Sequence, residues 1–304
     1  MTKTLIPGTA EVERAPGEWE AGRAQLLRGH PLLKRFLRHK GFVIGYAVFL
    51  AIVLIAVLGP FVVLSDPFKV EFRLRFQSPS LNLPFGTDHY GRSIFTRVVY
   101  GARLSLMIGV SVVSITGVCG ILIGTLSGYF RRLDNVIMRA MDALMAFPSL
   151  MLAIAIAASL GTGLANLIIA LGVAYTPRTA RVTRAAVILV REFEYVESAR
   201  VSGAGEARIL WRHILPNSMA PLIVELTFIF AYAVLAEAAL SYLGVGPAPP
   251  TPTWGNIIAE GRNYVVDAPW ITVFPGIAIS LTVLGLNLLG DGLRDVLDPR
   301  LKSV

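Results

Sequence analysis

Two glutamates lie inside a stretch of otherwise apolar residues that is long enough to cross a membrane. Glu225 and Glu237 are the acidic side chains well inside the run at 219–245. A carboxylate at membrane depth is costly unless it faces protein or water, so such residues are functional candidates by default. A glutamate there can meet an ammonium group on a translocation path, or it can form a helix–helix hydrogen bond with a protonated carboxyl. Twelve residues correspond to about 18 Å along a helix, so the two cannot both bind one small group.

The sequence has no arrangement of residues typical of an enzyme or a metal site. The four histidines are scattered without ligand spacing, at His30, His39, His89 and His213. No Ser, His and Asp are placed for nucleophilic attack, and the P-loop pattern Gly-x-x-x-x-Gly-Lys-Ser/Thr does not occur. If the protein uses ATP, another chain must bind it. The single cysteine, Cys119, allows no internal disulfide.

Composition predicts an integral membrane protein. Hydrophobic residues make up 54% of the chain and charged residues 16%, whereas soluble domains carry about 25% charged residues. The formal net charge is +8, and in a membrane protein that excess is expected in cytoplasmic loops. The charge is therefore no argument for a nucleic-acid partner, and we expect none.

Apolar runs predict where the chain crosses the membrane. The first run, Phe42 to Leu64, is long enough to cross about 30 Å of hydrocarbon at about 1.5 Å per residue. Further spans are predicted at residues 104–129, 136–160, 164–184, 219–245 and 270–290. The sequence thus predicts an all-α, polytopic membrane protein with six transmembrane helices.

Lysine and arginine predict the orientation of these spans. They are concentrated in the basic cluster that precedes the first span, at Arg131 and Arg132, over residues 178–212 and after residue 293. Because cytoplasmic loops carry the excess of Lys and Arg, this set of loops is predicted to be cytoplasmic. Both termini then face the cytoplasm.

The polar stretch between the predicted fourth and fifth spans has a helix–glycine–helix pattern. Tyr195 to Val201 has helix-forming composition, and Gly203 and Gly205 then break the helix. A second short helix is predicted from Glu206 to Ile214, with Pro216 ending it. Such a pair of helices at a membrane face suits docking to a soluble partner, although an ordinary amphipathic loop has the same pattern.

This stretch resembles the "EAA" loop of ABC-importer permeases, which reads Glu-Ala-Ala, three residues, Gly, about nine residues, and Ile-x-Leu-Pro. Ser198 replaces the second Ala, and His213 occupies the usual Ile position. The resemblance implies that the loop couples the chain to an ATPase. The residues implied are Glu197, Ser198, Ala199, Gly203, Ala204, Gly205, Ile214, Leu215 and Pro216.

A second resemblance lies before the span at 104–129. Asp88 and Arg92 are four residues apart and can pair if the segment is helical, in an amphipathic stretch at the outer interface. Residues 86–97 look like the Gly-Thr-Asp-x-x-Gly-Arg-Asp-x-x-Ser-Arg element of the "C-type" permeases of dipeptide, oligopeptide and nickel importers. Ser93 stands where that pattern has Asp, and Thr96 where it has Ser. The resemblance implies that Asp88 and Arg92 shape the extracytoplasmic surface.

Three further stretches are similar to the same subgroup, over residues 138–149, 240–255 and 290–299. In the first of them, Arg139 and Asp142 are predicted to neutralise each other, and Pro148 is predicted to kink the third span. The similarity therefore covers most of residues 42–300.

Two repeated patterns lie inside the predicted spans. Glycines at four-residue spacing predict a close packing seam, within the chain or with another subunit, at Gly120, Gly124 and Gly128. Arginines at three-residue spacing either bind substrate or lipid phosphate, or anchor the end of the fourth span, at Arg178, Arg181 and Arg184. Anchoring is the favoured interpretation.

The resemblance implies the type I ABC-importer permease fold. Its implied parts are cytoplasmic tails at 1–41 and 291–304, an added first transmembrane helix at 42–64, an extracytoplasmic segment at 65–100, and a five-helix core at 101–290 that contains the coupling loop 191–216.

The resemblance further implies one permease subunit of an ATP-driven importer of dipeptides or oligopeptides in the bacterial cytoplasmic (inner) membrane. It implies a heterodimer with a second permease, two ATPase subunits that bind ATP and Mg²⁺, an extracytoplasmic substrate-binding protein, and lipid. No cofactor and no enzymatic activity are expected in this chain.

Other readings stay open at this point. A nickel-chelate or glutathione importer of the same family would have a similar subunit. A secondary transporter driven by an ion gradient would explain Glu225 and Glu237, although no inverted repeat is visible. A third alternative is a membrane scaffold that transports nothing.

Overall fold

A computed structural model describes residues 31–297, and this part of the chain is helical. Its helices are α1 (Pro31–Arg38), α2 (Lys40–Val62), α3 (Ile94–Tyr129), α4 (Arg131–Met145), α5 (Ser149–Leu160), α6 (Leu164–Arg191), α7 (Glu194–Val201), α8 (Glu206–Ile209), α9 (Met219–Tyr242), α10 (Trp254–Gly261) and α11 (Trp270–Leu297). Within the described range the extended pairing amounts to one isolated bridge, between Thr87 and Ser93. The all-α prediction is confirmed for these residues. Most of the N-terminal tail and the end of the C-terminal tail lie outside them.

Fewer helices than predicted are long and apolar enough to span a membrane. Four such helices lie among the described residues, at 40–62, 94–129, 206–242 and 270–297, and the number rises to five if the bent pair α4–α5 is counted as one span. The predicted span at 164–184 does form a helix, since it lies within the 28 residues of α6. The three arginines within residues 164–184 make this segment less apolar than the other predicted spans. The predicted number of six transmembrane helices is therefore not matched by composition.

The predicted third span, residues 136–160, is two helices rather than one. α4 and α5 meet at an angle of 87°, and Pro148 stands immediately before α5. The proline ring disfavours helical geometry at the preceding residue, which explains the break there. α5 has 12 residues, which is about 18 Å of helix, and is therefore too short to cross the membrane alone. Instead of the predicted kink within one helix, the chain forms two nearly perpendicular helices at Pro148.

The glycine seam predicted from the sequence is an intramolecular contact between α3 and α6. A Cβ atom added at Gly124 would lie 2.4 Å from the carbonyl oxygen of Ala180, and one at Gly120 would lie 2.7 Å from the Cβ atom of Thr179. Side chains larger than hydrogen would separate the two helices. Close backbone approach of this kind replaces the hydrophobic driving force that helices lack in lipid.

A second glycine seam, which the sequence did not reveal, attaches α2 to α11. A Cβ atom at Gly45 would lie 2.6 Å from the backbone nitrogen of Leu289. The His39 ring lies 3.0 Å from the Asp295 carboxylate at the end of the same seam. The start of α2 and the end of α11 are therefore at the same face of the molecule.

We expect Gly124→Leu to destabilise the folded protein by about 1–3 kcal/mol, because overpacking a tight contact forces its neighbours apart. Thermal unfolding of the purified protein in detergent measures the effect. Gly276→Leu is the matched control, since Gly276 lies in α11 and a Cβ atom there has no neighbour within 4 Å. Equal melting temperatures for the two variants would contradict the seam.

Candidate functional site

The polar loop between α6 and α9 contains the predicted helix–glycine–helix. α7 ends at Val201, and Gly203 has a φ of +81°. L-residues other than glycine rarely adopt such an angle, so the backbone itself explains this glycine. A Cβ atom at Gly203 would have no neighbour within 4 Å. Gly205 precedes α8 with an ordinary φ of −68°, so it has no comparable conformational reason.

The prediction that Pro216 ends the second helix is wrong. α8 continues through a π-helical turn, Leu210–Ile214, and a 3-10 turn, Pro216–Ser218, into α9. Residues 206–242 therefore form a single 37-residue helical path. Pro216 stands in the first turn of its short element, where the missing N–H group would have no helical partner anyway. The second docking helix is thus the inner end of a membrane-spanning helix.

The inner side of the loop is anchored to α3 and α6. Its apolar residues Val196, Ile209 and Ile214 are buried with Val187 and Val190 of α6. The Tyr129 hydroxyl, at the end of α3, donates to the Glu206 carboxylate. Arg191 donates to the carbonyl oxygens of Gly128 at 3.0 Å and Tyr129 at 3.2 Å. The loop is therefore bound to the ends of both helices.

The outer side of the loop is open. Glu197, Ser198, Gly203, Gly205 and Pro216 are exposed, whereas Ala199, Ala204 and Leu215 are partly buried. Glu197 accepts from Arg200 at 2.8 Å, and both side chains face solvent. A groove of about 1100 Å³ runs beside them, lined in part by Arg131, Arg132 and Arg191. The predicted coupling residues thus divide into an exposed set and a set that holds the loop in place.

At the opposite end of the helices, Asp88 and Arg92 form an ion pair of 2.6 Å. The prediction of a pair holds, but its setting differs from the expected exposed amphipathic helix. Both side chains are buried, and they lie in a tight turn. The Asp88 carboxylate also accepts the backbone N–H groups of Tyr90 at 2.8 Å and Arg92 at 2.9 Å. α3 begins only at Ile94, after the N-cap residue Ser93.

Two residues that sequence reasoning missed complete this outer cluster. Arg97 is fully buried and donates to Asp88 at 3.0 Å and to both carboxylate oxygens of Glu260, at 2.8 and 3.0 Å. Arg92 also binds Glu260. The charges of two acids and two arginines therefore balance. Burial lowers the pKa of the adjacent His89.

The signal for this cluster was present in the motifs. Arg97 is the last residue of the element at 86–97, and Glu260 closely follows the stretch at 240–255 that resembles the same subgroup. Within one chain, those two stretches meet at the cluster. Trp254 adds a further bond between α10 and α3, because its indole N–H donates to the carbonyl oxygen of Val98 at 3.0 Å.

Glu237 lies in the packed interior rather than on an open surface. Its exposed fraction is 0%. Its carboxyl accepts from the hydroxyls of Ser241 at 2.9 Å and Ser105 at 3.4 Å. The Ser105 oxygen in turn accepts the backbone N–H of Trp254 at 3.2 Å. This network joins α9, α3 and α10, and the geometry favours the helix-packing interpretation of Glu237.

The three arginines of α6 at three-residue spacing each face a different acidic residue. Arg178 lies 2.7 Å from Glu225, Arg181 lies 2.5 Å from Asp142, and Arg184 lies 2.5 Å from Asp134. The three-residue spacing predicted that Asp142 pairs with Arg139. Asp142 bonds to Arg181 instead. The last two pairs tie α4 to the inner half of α6, which agrees with the anchoring interpretation. Glu225 is the only one of these acids on α9.

We expect Arg97→Met to destabilise the protein by about 3–5 kcal/mol, because removing one partner from a buried ion pair leaves the remaining charges uncompensated. Chemical or thermal unfolding measures the loss. Arg262→Met is the control, since Arg262 is exposed in the same outer region and surface substitutions change stability by about 0.5 kcal/mol or less. Similar losses for the two variants would contradict a buried network.

Among residues 31–297, no group of three or more His, Cys, Asp or Glu side chains lies close enough to hold a metal ion.

Comparison with known proteins agrees with this architecture. Residues 31–82 match the N-terminal transmembrane domain of oligopeptide transport permease C. A protein of Brucella abortus, provisionally named a peptide transport system permease protein, is 54% identical over 88% of this chain and 91% of its own length.

More distant relatives carry more definite names. A dipeptide transport system permease protein of Alkalihalophilus pseudofirmus is 43% identical over 89% of each chain. A glutathione transport system permease protein of Pectobacterium atrosepticum is 39% identical over 89% of this chain and 90% of its own. Residues 118–303 match the family of binding-protein-dependent transport system inner membrane components. The chain belongs to that family.

Proposed function

We propose that the chain is one membrane subunit of an ATP-driven importer of dipeptides and oligopeptides, and that residues 197–216 couple it to an ATPase. The observation that carries the proposal is the exposed turn at Gly203, followed by a second helix that is continuous with a membrane span. The peptide and dipeptide names of relatives at 43–54% identity support the substrate class.

The coupling mechanism follows from the anchoring of the loop. When an ATPase domain displaces α7 and α8, the continuous helix transmits the movement to α9. The bonds of Tyr129 and Arg191 transmit it to α3 and α6. Transport requires that the inward-open and outward-open states differ in their contacts with the ATPase states, since a partner can shift an equilibrium only through differential binding.

The proposed assembly contains further chains. Two ATPase subunits bind ATP and Mg²⁺, a second permease forms a heterodimer with this one, and an extracytoplasmic binding protein delivers the substrate. The membrane is the bacterial inner membrane, with both termini in the cytoplasm. The adjacency of His39 and Asp295 supports a common side for the two ends of the described chain.

The proposed parts of the chain keep the implied boundaries, namely tails at 1–41 and 291–304, a first transmembrane helix at 42–64, an outer segment at 65–100 and a core at 101–290. α3 begins at Ile94, so its first turns belong to the outer segment. An ion-coupled transporter receives less support, because Glu225 and Glu237 are both engaged by other side chains.

The proposed function is tested by reconstituting the complex with its binding protein and measuring ATP-dependent uptake of a labelled dipeptide. We expect uptake that unlabelled dipeptide inhibits more strongly than glutathione or a nickel chelate does. Uptake without ATP, or preferential inhibition by glutathione or the chelate, would contradict the proposal.

We expect Gly203→Asp to abolish coupling. A Cβ atom added there has no neighbour within 4 Å among the described residues, so the volume and charge of the aspartate would act on the docked ATPase. Overpacking costs about 1–3 kcal/mol, and a loss of about 3 kcal/mol weakens binding roughly 150-fold. Co-purification of the ATPase and its stimulation by the binding protein are the measurements.

Gly244→Asp is the matched control for this substitution. Gly244 has a φ of +82°, and a Cβ atom there also has no neighbour within 4 Å. It follows the outer end of α9, away from the proposed docking surface. The control introduces the same backbone strain and the same charge as Gly203→Asp. It should retain the ATPase, because Gly244 lies away from the docking surface. Equal loss in both variants would show that strain, and not docking, is responsible.

A further inference from the structure

One ion pair on the membrane-spanning helices has an exposed cation. Arg178 lies in the middle of α6, a helix of 28 residues. Its side chain is 44% exposed, whereas the side chain of its partner Glu225 is only 10% exposed. The Arg178 guanidinium also lies over the ring of Tyr232, 5.2 Å from its centroid. The charged surface that this pair presents outward is therefore positive.

Glu225 holds the Arg178 guanidinium in place but does not engage all of its N–H donors. Its Nε atom lies 2.7 Å from one oxygen of Glu225, and its Nη2 atom donates to the other at 3.3 Å. An arginine has five N–H donors in a rigid fork, so donors stay available on the exposed edge while Glu225 and Tyr232 fix the plane of the group.

An arginine on a helix packed among membrane-spanning helices cannot face lipid without a large cost. Charged side chains inside membrane proteins face a water-filled cavity or another protein, and they mark substrate pathways. Arg181 and Arg184 differ, because they pair with α4 near the inner end of α6. Arg178 instead pairs with α9, so it lies on the face where two long helices meet.

We propose that Arg178 binds the free C-terminal carboxylate of a peptide in transit, with Glu225 as its positioning residue. This inference rests on the proposed function. A guanidinium matches a carboxylate through two parallel N–H···O bonds, and every unblocked peptide carries this anion. The exposed side of Tyr232 adds an apolar surface beside it. Glu225 neutralises the arginine when no peptide is bound, so the carboxylate competes with it and is released easily.

The experiment measures the uptake of two substrates, a dipeptide that has a free C-terminal carboxylate and the C-terminal amide of the same dipeptide. The pair is chosen after the binding protein has been shown to bind both. Wild-type and Arg178→Gln complexes are reconstituted with the same binding protein. Any preference of the binding protein for one peptide cancels when the ratio of the two uptake rates is compared between the complexes. We expect Arg178→Gln to lower uptake of the free dipeptide about tenfold, because a hydrogen bond to a charged group is lost. Uptake of the amide should not change.

Arg181→Gln is the matched control, since Arg181 is on the same helix and is similarly exposed, with 52% of its side chain accessible. It should leave the ratio of the two uptake rates at its wild-type value. An equal fall for both peptides in Arg178→Gln would overturn the inference and assign Arg178 to the partner permease, to a lipid phosphate or to the stability of α9. A wild-type complex that transports neither peptide would instead overturn the proposed function.

Discussion

Charges placed among membrane-spanning helices must be neutralised, and this requirement decides how the helices of this chain are arranged. Lipid provides no hydrogen bonds and little dielectric screening, so an arginine or carboxylate there needs a protein partner or water. The Arg178 pair links α6 to α9, and the cluster around Arg97 links the outer segment to α10. The more exposed pairs of Arg181 and Arg184 link α4 to the inner half of α6. Glycine seams then allow the backbones to approach closely enough for these pairs to form.

The same contacts give the chain a mechanical organisation. The loop after α6 is exposed on one side and bound to the ends of α3 and α6 on the other, and its second helix continues into α9. A force applied at Gly203 therefore acts on three long helices together. At the far end, the buried cluster of Asp88, Arg92, Arg97 and Glu260 keeps the outer segment rigidly attached to the start of α3. The outer segment is thus tied to the start of α3, and the inner loop is tied to the ends of three long helices.

Several features were predictable because local sequence decides them. The helix–glycine–helix was visible, since a positive φ at Gly203 has a strong preference for glycine. The seam along α3 was visible, since four-residue spacing places small side chains on one helix face. The pairing of Asp88 with Arg92 was predicted on the assumption of a helix and occurs in a turn instead, because a tight turn also brings residues four apart together. Family resemblance to ABC-importer permeases was likewise available from short motifs in order along the chain.

Other features depend on contacts between residues far apart in sequence, and no local pattern contains them. Asp142 has a suitable neighbour in Arg139, yet bonds to Arg181 because the corner at Pro148 folds α4 against α6. Pro216 reads as a helix stop, but the packing of Ile209 and Ile214 under the loop continues the helical path through it. The sequence marked both Glu225 and Glu237 as path or packing candidates, and the fold places Glu237 in the packed interior and Glu225 beside the exposed Arg178. The sequence by itself determined the helices, their apolar faces and the family, because these follow from composition and from residues within a few turns. The tertiary structure decided which charges pair and which stay exposed, because the partner that neutralises a charge in a low-dielectric interior comes from whichever helix is packed beside it.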